Sequence, residues 1–176
     1  FADTNNHRVR RIDLSPPHHI ETVAGGGPTG QTDDGDGNIA LAAYVGAPRT
    51  LAFDDNGGMF ILSTSRVRYV RPDGIIITAL EAGASCFGDG PLYDLGYGLA
   101  LDEDGASALV GGRVYSYAGC TLPGGFGIFR LTPTTMLPTG PSDFTYSHVG
   151  VVDDHISDIA LDDNGDLYVA SHYDYV

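Results

Sequence analysis

One short segment occurs three times, and this repetition limits the fold more than any other feature of the chain. The copies, which align without gaps, are "LAFDDNG" (51–57), "LALDEDG" (99–105) and "IALDDNG" (159–165). Each begins as an alternating apolar run and ends in acidic residues and a glycine, the pattern of a strand that enters a tight turn. A second apolar run follows each turn, at 59–64, 108–112 and 166–171. The sequence therefore predicts a β-hairpin that recurs.

The spacing of the hairpins points to one repeat architecture. The copies start at residues 51, 99 and 159, and further strand pairs are predicted between them. A repeat of about 40–45 residues with loop insertions is typical of a four-stranded propeller blade. Helical solenoids are excluded, because no segment sustains a 3.6-residue apolar period. We predict an all-β fold, a partial β-propeller of about three to four antiparallel blades within 1–176, truncated at both ends. The blade parts are approximately 1–25, 46–83, 92–137 and 151–176.

Two segments near the start resemble the NHL-repeat family of β-propellers. They are "FADTNNHRVRRID" (1–13) and "GAPRTLAFDDNGGMFIL" (46–62), and the "DGDG" loop (34–37) is similar to connecting loops of NHL arrays. The resemblance implies four-stranded blades, commonly six to a ring, so further blades are expected outside this segment. The positions that match the repeat signature are Asn6, His7, Arg8, Pro48, Arg49, Asp54, Gly57, Asp102, Gly105, Asp162 and Gly165.

Charge and hydropathy exclude some classes of partner. Nine Lys and Arg against 23 Asp and Glu give a net charge of −14. Such a chain repels phosphate backbones, which basic residues hold largely through counterion release, so no nucleic-acid partner is predicted. The absence of a long apolar run predicts no membrane span. The absence of lysine together with abundant tyrosine and glycine is compatible with an extracellular or cell-surface protein, which is the expected location.

The acidic stretch "QTDDGDGN" (31–38) invites comparison with a calcium loop. Counted from Asp34, positions 1, 3 and 5 hold Asp34, Asp36 and Asn38, whose side chains carry oxygen ligands. An EF-hand also needs glycine at position 6 and glutamate at position 12. Those positions hold Ile39 and Val45. The Gly-Asp-Gly element returns at 88–90, ahead of the next predicted blade. We therefore interpret the stretch as a connector whose glycines adopt positive φ and whose aspartates cap local backbone N–H groups.

The remaining reactive residues give no complete site. The six histidines are scattered, and adjacent histidines on a strand point to opposite faces. Cys86 and Cys120 both fall in loops of one unit, where a disulfide is geometrically feasible; two separate thiols are the alternative. No catalytic, cofactor-binding or metal-ligating residue is predicted, and no cofactor. The insertion at 115–129 is long, aromatic and glycine-rich, and is the predicted partner-contact element.

The sequence is compatible with two functions. The first is a non-catalytic scaffold or recognition module in an extracellular assembly, binding protein, glycan or copies of itself through blade loops. The alternative, implied by other six-bladed propellers, is a hydrolase or lyase with a metal in the central channel. Its candidate residues here are Asp94, His155 and Asp158, which precede or begin predicted inner strands. An RNA-binding NHL domain conflicts with the negative charge.

Overall fold

The chain folds into antiparallel β-sheets. The computed structural model describes residues 1–28, 35–82, 92–114, 125–152 and 155–172. Their regular structure consists of strands and three short 3₁₀ turns, which confirms the all-β prediction. The turns are Thr4–Asn6, Ala40–Ala42 and Pro141–Asp143. Within these described ranges, no helix is long and apolar enough to cross a membrane.

The first two sheets are formed by the segments that resemble NHL repeats. Sheet 1 has the order β1-β2-β3, and sheet 2 has the order β4-β5-β6-β7, so each strand pairs with the next one along the chain. The strands of sheet 1 are β1 (Ala2–Asp3), β2 (Arg8–Ile12) and β3 (Ile20–Ala24). Those of sheet 2 are β4 (Thr50–Phe53), β5 (Met59–Leu62), β6 (Arg66–Val70) and β7 (Ile76–Glu81).

Sheets 3 and 4 continue the same meander. Sheet 3 comprises β8 (Leu92–Leu101), β9 (Ala108–Val114), β10 (Gly125–Pro133) and β11 (Phe144–Val152). Sheet 4 is the pair β12 (His155–Leu161) and β13 (Leu167–His172). The third unit was expected to end at 137 and the fourth to begin at 151. Sheet 3 instead extends to Val152, because the alternating segment 144–152 pairs with β10 as a fourth strand.

The recurring hairpin has the same register in sheets 2 and 4, whereas its turn in sheet 3 is one residue longer. The turn is closed by the pairs Phe53↔Met59, Leu101↔Ala108 and Leu161↔Leu167. The glycine of each turn has positive φ, +87° at Gly57, +66° at Gly105 and +80° at Gly165. L-residues with side chains rarely adopt this conformation, which explains why glycine recurs there.

The sheets stack face to face, and a separate apolar core fills each gap. Strand β5 is buried on both faces, because its alternate residues point to opposite neighbours. Met59 and Ile61 join the core between sheets 1 and 2, whereas Phe60 and Leu62 join the core between sheets 2 and 3. A third core between sheets 3 and 4 contains Leu109, Ile128, Ile156 and Ile159.

The first strands of successive sheets lie side by side. Strand β4 contacts β8, and β8 contacts β12. The approach of β8 to β12 requires small residues, because a Cβ on Gly96 would lie 3.0 Å from the Ile156 carbonyl oxygen. One edge of the stack is therefore built from the first strands of sheets 2, 3 and 4.

Candidate binding site between the first and second sheets

A pocket of about 260 Å³ opens between sheets 1 and 2, near the end of the stack at which β4 begins. One wall is the connector that leads into β4, and another is the turn between β5 and β6. The lining residues are His7, Tyr44, Val45, Gly46, Ala47, Ser63, Thr64, Ser65, Arg66 and Arg68. The pocket therefore brings together a residue of the NHL-like signature, a connector and a hairpin turn that are far apart in sequence.

His7 fixes the wall contributed by sheet 1. Its backbone has a φ of +55°, and its ring Nδ1 donates to the carbonyl oxygen of Gly46 at 2.8 Å. Nearby, the Thr4 hydroxyl donates to the carbonyl oxygen of Pro48 at 2.8 Å. The His7 ring also contacts the Tyr44 ring, with 5.6 Å between centroids. His7 of the repeat signature and the nearby Thr4 thus join one sheet to the connector of the next.

Arg68 forms the base of the pocket. Its side chain is 1% exposed, and it donates to the Tyr44 carbonyl oxygen at 2.7 Å and to Asp36 Oδ1 at 2.5 Å. Burial lowers the pKa of the Arg68 guanidinium, and the adjacent Asp36 carboxylate opposes that shift. A buried charge is tolerated only where it is paired and hydrogen-bonded, so this side chain holds the connector in one position.

Asp36 belongs to the acidic stretch that resembles a calcium loop. Its second oxygen accepts a hydrogen bond from the Thr78 amide at 2.9 Å, which anchors the connector to the outer strand of sheet 2. Gly35 and Gly37 have φ of +76° and +80°, the conformation expected of a connector. The aspartate therefore acts over a long range, not as a local cap. Asp33 and Asp34 lie outside the described residues.

The open side of the pocket carries hydroxyl groups. Thr64 and Ser65 are exposed in the β5–β6 turn, whereas Ser63 is buried and donates to the Arg66 carbonyl oxygen at 3.1 Å. Arg66 Nη2 donates to Glu81 Oε1 at 2.7 Å. The site thus combines hydroxyls, two rings and two paired guanidinium groups, which suits the binding of a small polar group through hydrogen bonds.

The aspartate that ends each repeated strand has a structural role. Asp54 is buried and accepts from the Tyr69 hydroxyl at 2.6 Å and from the Gly58 amide at 2.7 Å. Burial, together with this carboxylate, raises the pKa of Tyr69. In sheet 3 the equivalent Asp102 forms an ion pair with Arg130, which occupies the strand position of Tyr69.

The equivalent aspartate of sheet 4 caps its own turn. Asp162 accepts from the backbone amides of Asn164 and Asp166, each at 2.9 Å, and these hydrogen bonds lower the pKa of its carboxyl group. Asp54 and Asp162 thus close their turns through backbone amides, whereas in sheet 3 this role passes to Asp104, which accepts from the Ala106 and Ser107 amides.

The three candidate ligands for a metal in the central channel, Asp94, His155 and Asp158, lie on β8 and β12, two strands that contact each other. His155 contacts the Phe126 ring at 4.3 Å between centroids, and the Asp158 carboxylate accepts from the Ile159 amide at 2.9 Å. Asp94 lies in β8 opposite Arg113. Within the parts of the chain that the structure describes, no group of three His, Cys, Asp or Glu residues is arranged to hold a metal.

Other predicted elements lie outside the described residues. Cys86 and Cys120, predicted to be close enough for a disulfide, are among them, as is most of the insertion at 115–129. The pocket was missed in the sequence because its walls come from three segments. The signal that could have indicated it was Arg68, an arginine between the two core residues Val67 and Tyr69 of β6.

Comparison with known proteins shows a likeness to solved structures. No family model matches the sequence. A solved structure from Thermus thermophilus, named as an oxidoreductase (glucose dehydrogenase), aligns with 93% of this chain at 22% sequence identity and a TM-score of 0.46. The alignment covers 41% of that structure, so the present chain spans less than half of its length.

Proposed function

We propose that the sheets are blades of an NHL-type β-propeller and that the protein is a non-catalytic recognition module. The meander order of each sheet, the stacked cores and the adjacent first strands support the propeller assignment. The NHL-like segments support the family, because His7 and the connector before β4 make the contacts that join two sheets. We place the module outside the cell, as a component of an assembly.

The pocket between sheets 1 and 2 is the proposed contact site, and one observation supports it above all. Its buried cation, Arg68, is held by the Asp36 carboxylate and by a backbone carbonyl, so the walls are rigid before any ligand arrives. A preformed site binds with a smaller loss of conformational entropy. The salt bridge also leaves little net charge at the base, which favours a neutral partner.

A glycan fits this pocket better than a protein segment. About 260 Å³ is below the usual range for drug-sized ligands, so the pocket takes one small unit such as a single sugar residue. The exposed hydroxyls of Thr64 and Ser65 can donate and accept, as sugar hydroxyls do, and the Tyr44 ring offers an apolar face. Screening the protein on an array of glycans tests the assignment. Binding only to peptides or proteins would contradict the assignment of a glycan ligand.

The alternative is a hydrolase or lyase whose metal lies where the first strands meet. The observation in its favour is the adjacency of β8 and β12, which brings the strand segments around Asp94 and His155 to one edge of the stack. Metal analysis of the purified protein, combined with turnover assays on esters and lactones, separates the two functions. Stoichiometric calcium or zinc together with turnover would support the enzyme and contradict the recognition module.

A further inference from the structure

Another cavity lies between sheets 2 and 3, at the end of these sheets that carries the repeated turns. It has a volume of about 240 Å³, and its walls come from both sheets and from the connection between β10 and β11. The residues that matter for its chemistry are Asp54, Asn56, Tyr69, Ala106, Thr135 and Met136. Strand β5 runs from the turn at this cavity to the Ser63–Ser65 turn, so the cavity and the proposed sugar pocket lie at opposite ends of the strand.

Asp54 gives this cavity a buried carboxylate whose charge no basic side chain balances. It accepts hydrogen bonds from the Tyr69 hydroxyl and from the amides of Asn56 and Gly58, all of which are neutral donors. The chain contains no lysine, and its arginines all lie in the described ranges. None of the ion pairs within those ranges includes Asp54. Buried charges in proteins are normally paired, so this carboxylate is an exception.

Sheet 3 balances the equivalent carboxylate with its own arginine. Asp102 forms an ion pair with Arg130. Arg130 pairs with Leu109 of the neighbouring strand, as Tyr69 pairs with Phe60 in sheet 2, so the two side chains occupy the same position of the repeat. Tyr69 supplies a hydrogen bond there but no charge. Sheet 2 therefore lacks a cation at the position where sheet 3 has one.

The hydrogen bonds of Asp54 determine which cation fits. Oδ1 accepts the two amides, and Oδ2 accepts the Tyr69 hydroxyl. Because a carboxylate has about four acceptor positions, roughly one is left for a further donor. A guanidinium binds best through two parallel hydrogen bonds to both oxygens, whereas an ammonium is a compact charge that needs only one. The site therefore favours a lysine side chain over an arginine.

The surface around the cavity combines apolar and acidic side chains. Met136 is 77% exposed and Leu137 is 51% exposed on the connection between β10 and β11. Asp55, Glu103 and Asp104 are exposed in the turns of sheets 2 and 3. A segment that carries a positive charge beside apolar residues is complementary to this surface in both respects.

We propose that this cavity binds a lysine side chain of another protein, with the ammonium at Asp54 and apolar neighbours of that lysine resting on Met136 and Leu137. A free amine would leave these two side chains uncovered, which is why the occupant is a protein segment. Residues 1–176 contain no lysine, so the segment comes from a different sequence. The contact does not depend on sugar binding at the opposite end of β5.

A titration of the isotope-labelled whole chain with the peptide acetyl-Gly-Leu-Lys-Leu-Gly-amide tests the proposal by nuclear magnetic resonance. We expect the amide signals of Asn56, Gly58 and Ala106 to shift and to give a dissociation constant. Peptides with arginine or norleucine in place of the lysine, and butylamine alone, should each bind more weakly. The arginine peptide tests the preference for an ammonium, the norleucine peptide tests the need for a charge, and butylamine tests the need for apolar neighbours.

Two variants locate the peptide at the cavity. Asp54→Asn removes the charge and should weaken binding about tenfold, whereas Asp162→Asn, at the equivalent aspartate of sheet 4, should not. Because Asp54 is buried and its variant could fail to fold, exposed Asn56 provides a second position. Asn56→Lys places an ammonium of the chain itself beside Asp54 and should weaken binding by a similar factor. Asn164→Lys is its matched control, since it makes the same charge change in the identical "DDNG" turn of sheet 4.

Several results would overturn the proposal. Equal binding of the lysine and norleucine peptides would assign the surface to apolar contact alone, and stronger binding of the arginine peptide would contradict the choice of cation. Equal binding of butylamine would indicate a small-amine site and no protein partner. Equal losses in Asn56→Lys and Asn164→Lys would show that only the net charge matters, and absence of any peptide binding would remove the site.

Discussion

The guanidinium of Arg68 donates to the carboxylate of Asp36 across 2.5 Å, although 32 positions separate the two residues in the chain. Arg68 lies in a central strand of sheet 2, and Asp36 lies in the connector that leads to that sheet. The ion pair therefore fixes the connector against the strands, and the connector in turn forms one wall of the proposed binding pocket.

Asp36→Asn should destabilise the fold, because it removes the charge that compensates buried Arg68. We expect a loss of about 1.5–3 kcal/mol, the range for hydrogen bonds to charged groups. The loss should stay below that of a fully buried pair, since Asp36 is 38% exposed and water can approach it. Urea unfolding measures the change. Glu21→Gln breaks the exposed pair with Arg11 and should cause little change; equal losses in both variants would contradict the role of Asp36.

Tyr146 should make stability fall at alkaline pH. Its hydroxyl donates to the Ala79 carbonyl oxygen at 2.7 Å, and burial raises its pKa to about 12. An unfolded tyrosine ionises near pH 10, so the stabilising contribution is complete below about pH 10 and is lost as the pH rises toward 12.

The free energy of unfolding, measured in urea at about pH 9 and about pH 11.5, checks this prediction. Tyr146→Phe should reduce the alkaline loss, whereas Tyr168→Phe, at an exposed tyrosine, should leave it as in the wild type. Tyr69, whose pKa is also raised, contributes equally to all three proteins. An alkaline loss that Tyr146→Phe does not change would contradict the assignment.

Gly58 makes room for the hydrogen bond between Tyr69 and Asp54. A Cβ at this position would overlap the Tyr69 hydroxyl and lie 2.5 Å from Asp54 Oδ2. Gly58→Ala should therefore cost about 1–3 kcal/mol, as overpacking of a core does. Gly140→Ala is the control, because its Cβ would meet no described atom within 4 Å.

A double-mutant cycle identifies the cause of that loss. In a Tyr69→Ala background the colliding ring is gone, so Gly58→Ala should cost clearly less than in the wild type. Additive losses would show that the collision with Tyr69 is not the reason for glycine at this position.

The repeat made the local structure predictable, whereas the pocket depended on contacts across the sequence. Alternating apolar residues and Asp-x-x-Gly turns identify the hairpins, because strand period and positive φ are local properties. The outer strand of sheet 3 was not predicted, although "FTYSHVGVV" alternates, because it follows a long connection. No local sequence pattern indicates that Asp36 pairs with Arg68. An aspartate between two glycines is typical of a turn, so the sequence predicted only a local hydrogen bond for Asp36.

The proposed recognition function is tested most directly by filling the pocket. Ser65 is exposed at the rim of the pocket, so the side chain of Ser65→Trp should fill the pocket without disturbing the core. Ser15→Trp is the control, because it places the same side chain at an exposed serine outside the pocket. Isothermal titration calorimetry with the strongest glycan from the array measures the affinity of each variant. We predict that Ser65→Trp weakens glycan binding at least about tenfold while Ser15→Trp does not. Unchanged affinity in folded Ser65→Trp would contradict the assignment of this pocket.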